Sequence, residues 1–217
     1  MCKGVEVYSP DIYERELLKG GCSLCRDYSP HYHPERLIAS RIPSSPTVFV
    51  FGTADISFCD PRYVRRTFEV IRQYTPKKEK TYYFQSKNPR VLGQYIGEYP
   101  EGTILLTTLE TNRDKGYGEI SQAPPPSVRF RDFHALDYPR KVVTVEPVMD
   151  FDSESFVDWI VQLKEQGSLD YVWFGFNSKP NQVHLPEPSE EKAQEFVDQL
   201  KEAGIEVRGK SLRNVRI

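Results

Sequence analysis

Thr103-Ile104-Leu105-Leu106-Thr107, followed at once by Thr108-Leu109-Glu110-Thr111-Asn112-Arg113-Asp114, is the stretch on which the fold turns. Its first five residues are apolar or β-branched without alternation. That is the pattern of a strand covered on both faces, and such strands belong to parallel sheets. The polar loop that follows is where ligands sit in parallel α/β folds, beyond the carboxyl ends of the strands. The same two-part unit recurs on either side. Upstream stand Thr47-Val48-Phe49-Val50-Phe51 and Thr81-Tyr82-Tyr83-Phe84. Downstream stand Val142-Val143-Thr144-Val145, Tyr171-Val172-Trp173-Phe174-Gly175-Phe176 and a weaker Ile205-Glu206-Val207-Arg208.

Helical patterns separate these runs. Tyr63 to Tyr74 places Val64, Phe68 and Ile71 on one face, with Asp60-Pro61 ahead of it as N-cap and first-turn proline. Ser153 to Gln166 groups Phe156, Ile160 and Leu163, and Ser189 to Ala203 groups Ala193, Phe196, Val197 and Leu200 before the stop at Gly204. The expected class is therefore α/β, one domain over residues 1–217, with repeated βα units from 47 to 217 behind a cysteine-bearing segment, 1–46. Right-handed βαβ winding yields either an open sheet or a full or partial barrel. The exception is Gln122 to Tyr138, where Pro124-Pro125-Pro126 predicts an extended, non-helical connector.

Composition narrows the function. With 29 Lys+Arg against 31 Asp+Glu in 217 residues, there is no global field to recruit nucleic acid or an anionic membrane. No apolar run approaches the ~20 residues of a membrane span, and the start lacks an apolar signal core, so a soluble, cytoplasmic protein with no membrane partner is expected. Arg62, Arg65, Arg66 and Lys77-Lys78 form a local basic stretch that either contacts phosphates or makes a solvated helix face.

Five successive strands end in an acid, a lysine or an asparagine: Asp55 after the first, Lys87 and Asn88 after the second, Glu110 and Asn112 after the third, Glu146 after the fourth, Asn177 and Lys179 after the fifth. Charges so close to buried backbone need a partner or a ligand, which singles out Glu110, Glu146 and Lys179 and points to a polar small molecule on this rim. Cys22 and Cys25 form a C-x-x-C pair, with His31 and His33 downstream. The residues alone admit structural zinc or a thiol pair, with His33 otherwise a buried core histidine and Cys59 a buried small hydrophobe.

The order Gly21-Cys22-x-x-Cys25, His33-Pro34-Glu35-Arg36-Leu37, Gly52-Thr53-Ala54-Asp55, Phe84-Gln85-Ser86-Lys87-Asn88-Pro89, Thr107-Thr108-Leu109-Glu110 and Val145-Glu146-Pro147 resembles a phage- and prokaryote-associated family of radical-SAM-like proteins. That family is distantly similar to spore photoproduct lyase and other radical S-adenosylmethionine enzymes. The resemblance spans roughly residues 20 to 180. It implies a partial (β/α)6 barrel of the radical SAM type, a 4Fe-4S cluster held by three cysteines, bound S-adenosyl-L-methionine, an external reductant and hydrogen abstraction from a substrate, with a hint of a nucleic-acid or nucleotide one. On this reading Cys22 and Cys25 are cluster ligands. Cys2 is the third, at a long C-x19-C-x2-C spacing, because Leu18 stands where the family's usual C-x3-C-x2-C places a cysteine. Thr108, Glu110 and Asn112 fall where the cofactor's ribose and amino-acid groups bind, and Lys87, Glu146, Asn177 and Lys179 complete the cofactor-binding set. The alternative is a barrel-like binding protein with structural zinc or no metal.

Overall fold

A computed structural model describes residues 33–52, 54–74 and 79–217. Its centre is one six-stranded sheet, β1 (Thr47–Val50), β2 (Thr81–Gln85), β3 (Thr103–Thr108), β4 (Lys141–Val145), β5 (Leu169–Phe174) and β6 (Val207–Gly209). The strands lie side by side in chain order and every pairing is parallel. When every crossover returns on the same side, the sheet rolls, and this one curls into a half-barrel.

Two clusters of apolar side chains follow from the alternation of each strand. Tyr82, Phe84, Leu105, Val143, Val145, Val172 and Phe174 point outward into the main core beneath the helices. Tyr83, Ile104, Leu106, Val142 and Tyr171 point inward and fill the lower part of the bowl. The helices are α1 (Pro61–Gln73), α2 (Pro89–Gly93), α3 (Tyr117–Ile120), α4 (Pro126–His134), α5 (Ser153–Glu165) and α6 (Glu190–Glu202). Asp60 caps α1 by accepting from the Arg62 amide, and Ser189 caps α6 by accepting from the Lys192 amide. Val64, Phe68 and Ile71 are buried as their spacing predicts.

Two expectations fail for physical reasons. The Pro124-Pro125-Pro126 connector carries helix α4, because Pro126 is its first residue, where the missing N–H is not needed and the fixed φ already suits a helix. β1 is not buried on both faces. It is an edge strand with alternating exposure, and inward-facing Phe49 is 56% exposed. Among the described residues no helix is long and apolar enough to cross a membrane.

Candidate functional site at the barrel mouth

The floor of the bowl is an arch that runs from one sheet edge to the other. The Phe49 ring stacks on Tyr83 with centroids 5.0 Å apart. The Tyr171 hydroxyl donates to that of Tyr83 at 2.9 Å, and the Arg208 guanidinium lies 3.9 Å from the Tyr171 ring centre. Burial raises the Tyr171 phenol, so it stays a neutral donor.

Above the floor the inward positions turn polar. Gln85 gives its amide hydrogens to the Thr108 hydroxyl at 2.8 Å and to the Thr144 hydroxyl at 3.4 Å, and the Thr144 hydroxyl donates to that of Thr108 at 2.9 Å. One step higher on β4's side, Glu146 accepts from the Trp173 indole at 2.7 Å through Oε2, while Lys210 stands 3.5 Å from Oε1. Gly175 makes this possible. A Cβ there would come within 2.5 Å of the Lys210 carbonyl oxygen and 3.3 Å of the Glu146 carboxyl carbon.

On the β2–β3 side a second network surrounds Lys87. Asp55, at the end of the β1 loop, accepts from the Lys87 amide at 2.8 Å and from the Ser86 hydroxyl at 2.7 Å. The Lys87 ammonium donates to Glu110 Oε1, while Arg129 Nη1 donates to Oε2 at 2.8 Å and also to the Thr108 carbonyl. The Tyr117 hydroxyl lies 3.3 Å from Oε2, and its ring faces the Arg129 guanidinium at 4.8 Å. Glu110 is 3% exposed and Arg129 fully buried, whereas 41% of the Lys87 side chain meets solvent. Burial by itself would raise the Glu110 carboxyl; Lys87 and Arg129 more than reverse that and hold it below the ordinary carboxylate value. Glu110 is therefore an ionised buttress whose two oxygens are already engaged.

Of the sequence-derived candidates, Lys87, Thr108, Glu110 and Glu146 do gather at the mouth. Asn112 does not face it. Its amide donates to the Asp152 carbonyl and the Ser155 hydroxyl and accepts from the Asp152 amide, tying the β3 loop to the start of α5. Asn177 likewise organises its own loop, donating to the Val183 carbonyl and accepting from the Lys179 amide. Lys179 is half-buried in that loop. Cys2, Cys22, Cys25, His31 and Lys77-Lys78 lie outside the described residues. Among the described residues, no three His, Cys, Asp or Glu side chains are placed to hold a metal ion.

Two further expectations are corrected, and one open alternative is decided. His33 is not buried; it is half-exposed, and its Nδ1 bonds Glu35 at 2.9 Å. Cys59 is half-buried against the main core. Arg62, Arg65 and Arg66 pair with Asp60, Glu98 and Glu69, the arrangement of a solvated helix face.

Sequence reasoning missed Arg129, Tyr117, Gln85, Trp173 and Lys210. Arg129 left a signal: with Pro126 and Phe133 it occupies the buried stripe of α4, and a charge there demands a buried partner. No protein-family model, curated protein or solved structure matches the chain.

Proposed function

We propose that this chain is a radical S-adenosylmethionine enzyme acting on a nucleic-acid-related substrate, with Cys2, Cys22 and Cys25 as ligands of a 4Fe-4S cluster and the barrel mouth as the seat of the cofactor. One observation supports the reading more than any other. On one concave face, the mouth gathers a solvent-accessible ammonium (Lys87), a hydroxyl and amide ladder (Thr108, Thr144, Gln85) and a carboxylate with one oxygen bound only at 3.5 Å (Glu146). S-adenosyl-L-methionine carries the complementary groups: a carboxylate, ribose hydroxyls and an ammonium.

In this reading Lys87 holds the cofactor carboxylate and Glu146 its ammonium or ribose hydroxyls, with Thr108 beside them. When bound, the cluster and cofactor supply reductive cleavage of the cofactor and hydrogen-atom abstraction from substrate, with the electron coming from an external reductant. The chain's own residues do the positioning. Glu110 holds Lys87 in place, Arg129 and Tyr117 keep Glu110 in place, and Trp173 fixes the rotamer of Glu146. The aromatic floor keeps water from entering below.

Anaerobic reconstitution with iron and sulfide, followed by metal analysis and assay of 5′-deoxyadenosine under reductant, tests the reading. The expected result is about four irons per chain and cofactor cleavage, both lost in Cys22→Ala and Cys25→Ala. A colourless protein that binds zinc or nothing, or a full cluster retained in those variants, refutes it and leaves a barrel-like binding protein.

A further inference from the structure

The arch on the floor has one open end. Phe49 spends one ring face on Tyr83 and, although apolar, leaves 56% of its surface exposed on the concave side. Its stacking partner Tyr83 is itself held by the Tyr171 hydroxyl. An exposed ring with one face covered and the other free is a stacking platform. Two residues further along β2 and on the same face, both Gln85 amide hydrogens go to Thr108 and Thr144, which leaves Oε1 without a partner among the described residues. The face therefore offers a flat apolar surface beside an unspent hydrogen-bond acceptor.

We infer that this face binds a neutral planar heteroaromatic ring with an N–H donor at its edge, the chemistry of an amino- or lactam-bearing nucleobase, stacked on Phe49 and donating to Gln85 Oε1. A purely apolar ring would leave the Gln85 oxygen unpaired on binding, and the arch's own cation, Arg208, is paired with Glu206 at 2.7 Å. The inference rests on reading the mouth as a small-molecule site and names the class of its substrate; it needs no iron.

Calorimetric titration of the full chain as purified, without iron, with cytidine, guanosine, adenosine and 3-methyluridine tests it. Cytidine or guanosine is expected to bind about tenfold more tightly than 3-methyluridine, which stacks but has no ring or amino N–H to donate. Phe49→Leu should weaken binding about tenfold and Phe49→Trp should restore it, while Gln85→Met should abolish the preference for cytidine or guanosine over 3-methyluridine. Melting curves on the same samples show that each variant is folded. Absence of binding, equal binding by Phe49→Leu, or 3-methyluridine binding as tightly as the N–H-bearing nucleosides overturns the proposal; adenosine, whose amino group also donates, is expected to bind with cytidine and guanosine. Failure of iron reconstitution would overturn the cofactor reading while leaving this result standing.

Discussion

Lys141 opens β4 at the end of the barrel away from the mouth, and it is 1% exposed. Among the described residues its ammonium has two marginal acceptors, the His134 carbonyl at 3.4 Å and Gln166 Oε1 at 3.5 Å, with the Phe133 ring at 5.5 Å. Burial lowers its pKa from 10.5 to about 8, against a smaller opposing pull from Asp137. In the unfolded chain the same lysine keeps its ordinary value. Between pH 8 and 10.5 the unfolded state thus binds more protons than the native one, and stability rises with pH across that window. Below pH 8 the full penalty for burying the charge is present, roughly 3 kcal/mol at about 1.4 kcal/mol per decade. Lys141→Met keeps the length and removes the charge. Allowing for two weak hydrogen bonds lost, the variant should be about 2 kcal/mol more stable than wild type at pH 7. Urea unfolding followed by circular dichroism at pH 7, 8, 9 and 10 reads the difference, and titration of the other groups cancels between the two proteins. The advantage should shrink steadily above pH 8. A variant no more stable than wild type at pH 7, or an advantage that stays constant with pH, would show that Lys141 is not a strained buried charge.

Three other substitutions probe the mouth and the floor. Glu110→Gln leaves the buried Arg129 facing a neutral amide and should cost about 3–5 kcal/mol at pH 7 by thermal melting. Because the Glu110 carboxyl is held low, its contribution is present above the ordinary carboxylate range and lost as pH falls through the lower folded value. The gap between wild type and Glu110→Gln should therefore close in acid, and a gap that persists there would count against the ion pair. Gly175→Ala pushes a methyl against the Lys210 carbonyl and the Glu146 carboxyl, so the chain should lose about 1–3 kcal/mol and its tryptophan emission should shift as the Trp173 partner moves. An unchanged spectrum would mean that Glu146 is not held by that contact. Tyr171→Phe removes the donor to Tyr83 while leaving a ring under Arg208, and a loss of about 1 kcal/mol in denaturant is expected; no loss would mean that the arch does not brace the floor.

What the sequence disclosed about the fold was what period and punctuation encode. Thr103 to Thr107 reads as a strand buried on both faces because it has no polar alternation, and β3 is buried along its whole length. Asp60-Pro61 and Ser189 mark helix starts because capping is local chemistry. The curl into a half-barrel was legible only as one of two outcomes, since strand order depends on which side each crossover returns. Triple proline misled because the rule it invokes applies to helix interiors, and Pro126 is a first turn. Phe49 misled because an edge strand and a central strand can have the same residues and differ only in what lies beside them.

The two strand-end glutamates show why a site is harder to read than a fold. In sequence Glu110 and Glu146 are equivalent: each follows a buried parallel strand, and each raises the question of what pairs its charge. The answer comes from residues far along the chain. Glu110 meets Arg129, which α4 carries back across the top of β3 from 19 positions away, together with Lys87 from the neighbouring strand end, so both its oxygens are neutralised inside the protein. Glu146 meets Trp173, which can donate only one hydrogen bond, and Lys210 reaches it only at 3.5 Å. A carboxylate already held by two cations gains little from a ligand, whereas one held by a single neutral donor has capacity left to give. Glu110 therefore sets Lys87 in place, and Glu146 keeps an acceptor to spare at the mouth. The division of labour follows from which helix returns over which strand, and no spacing within either motif encodes it.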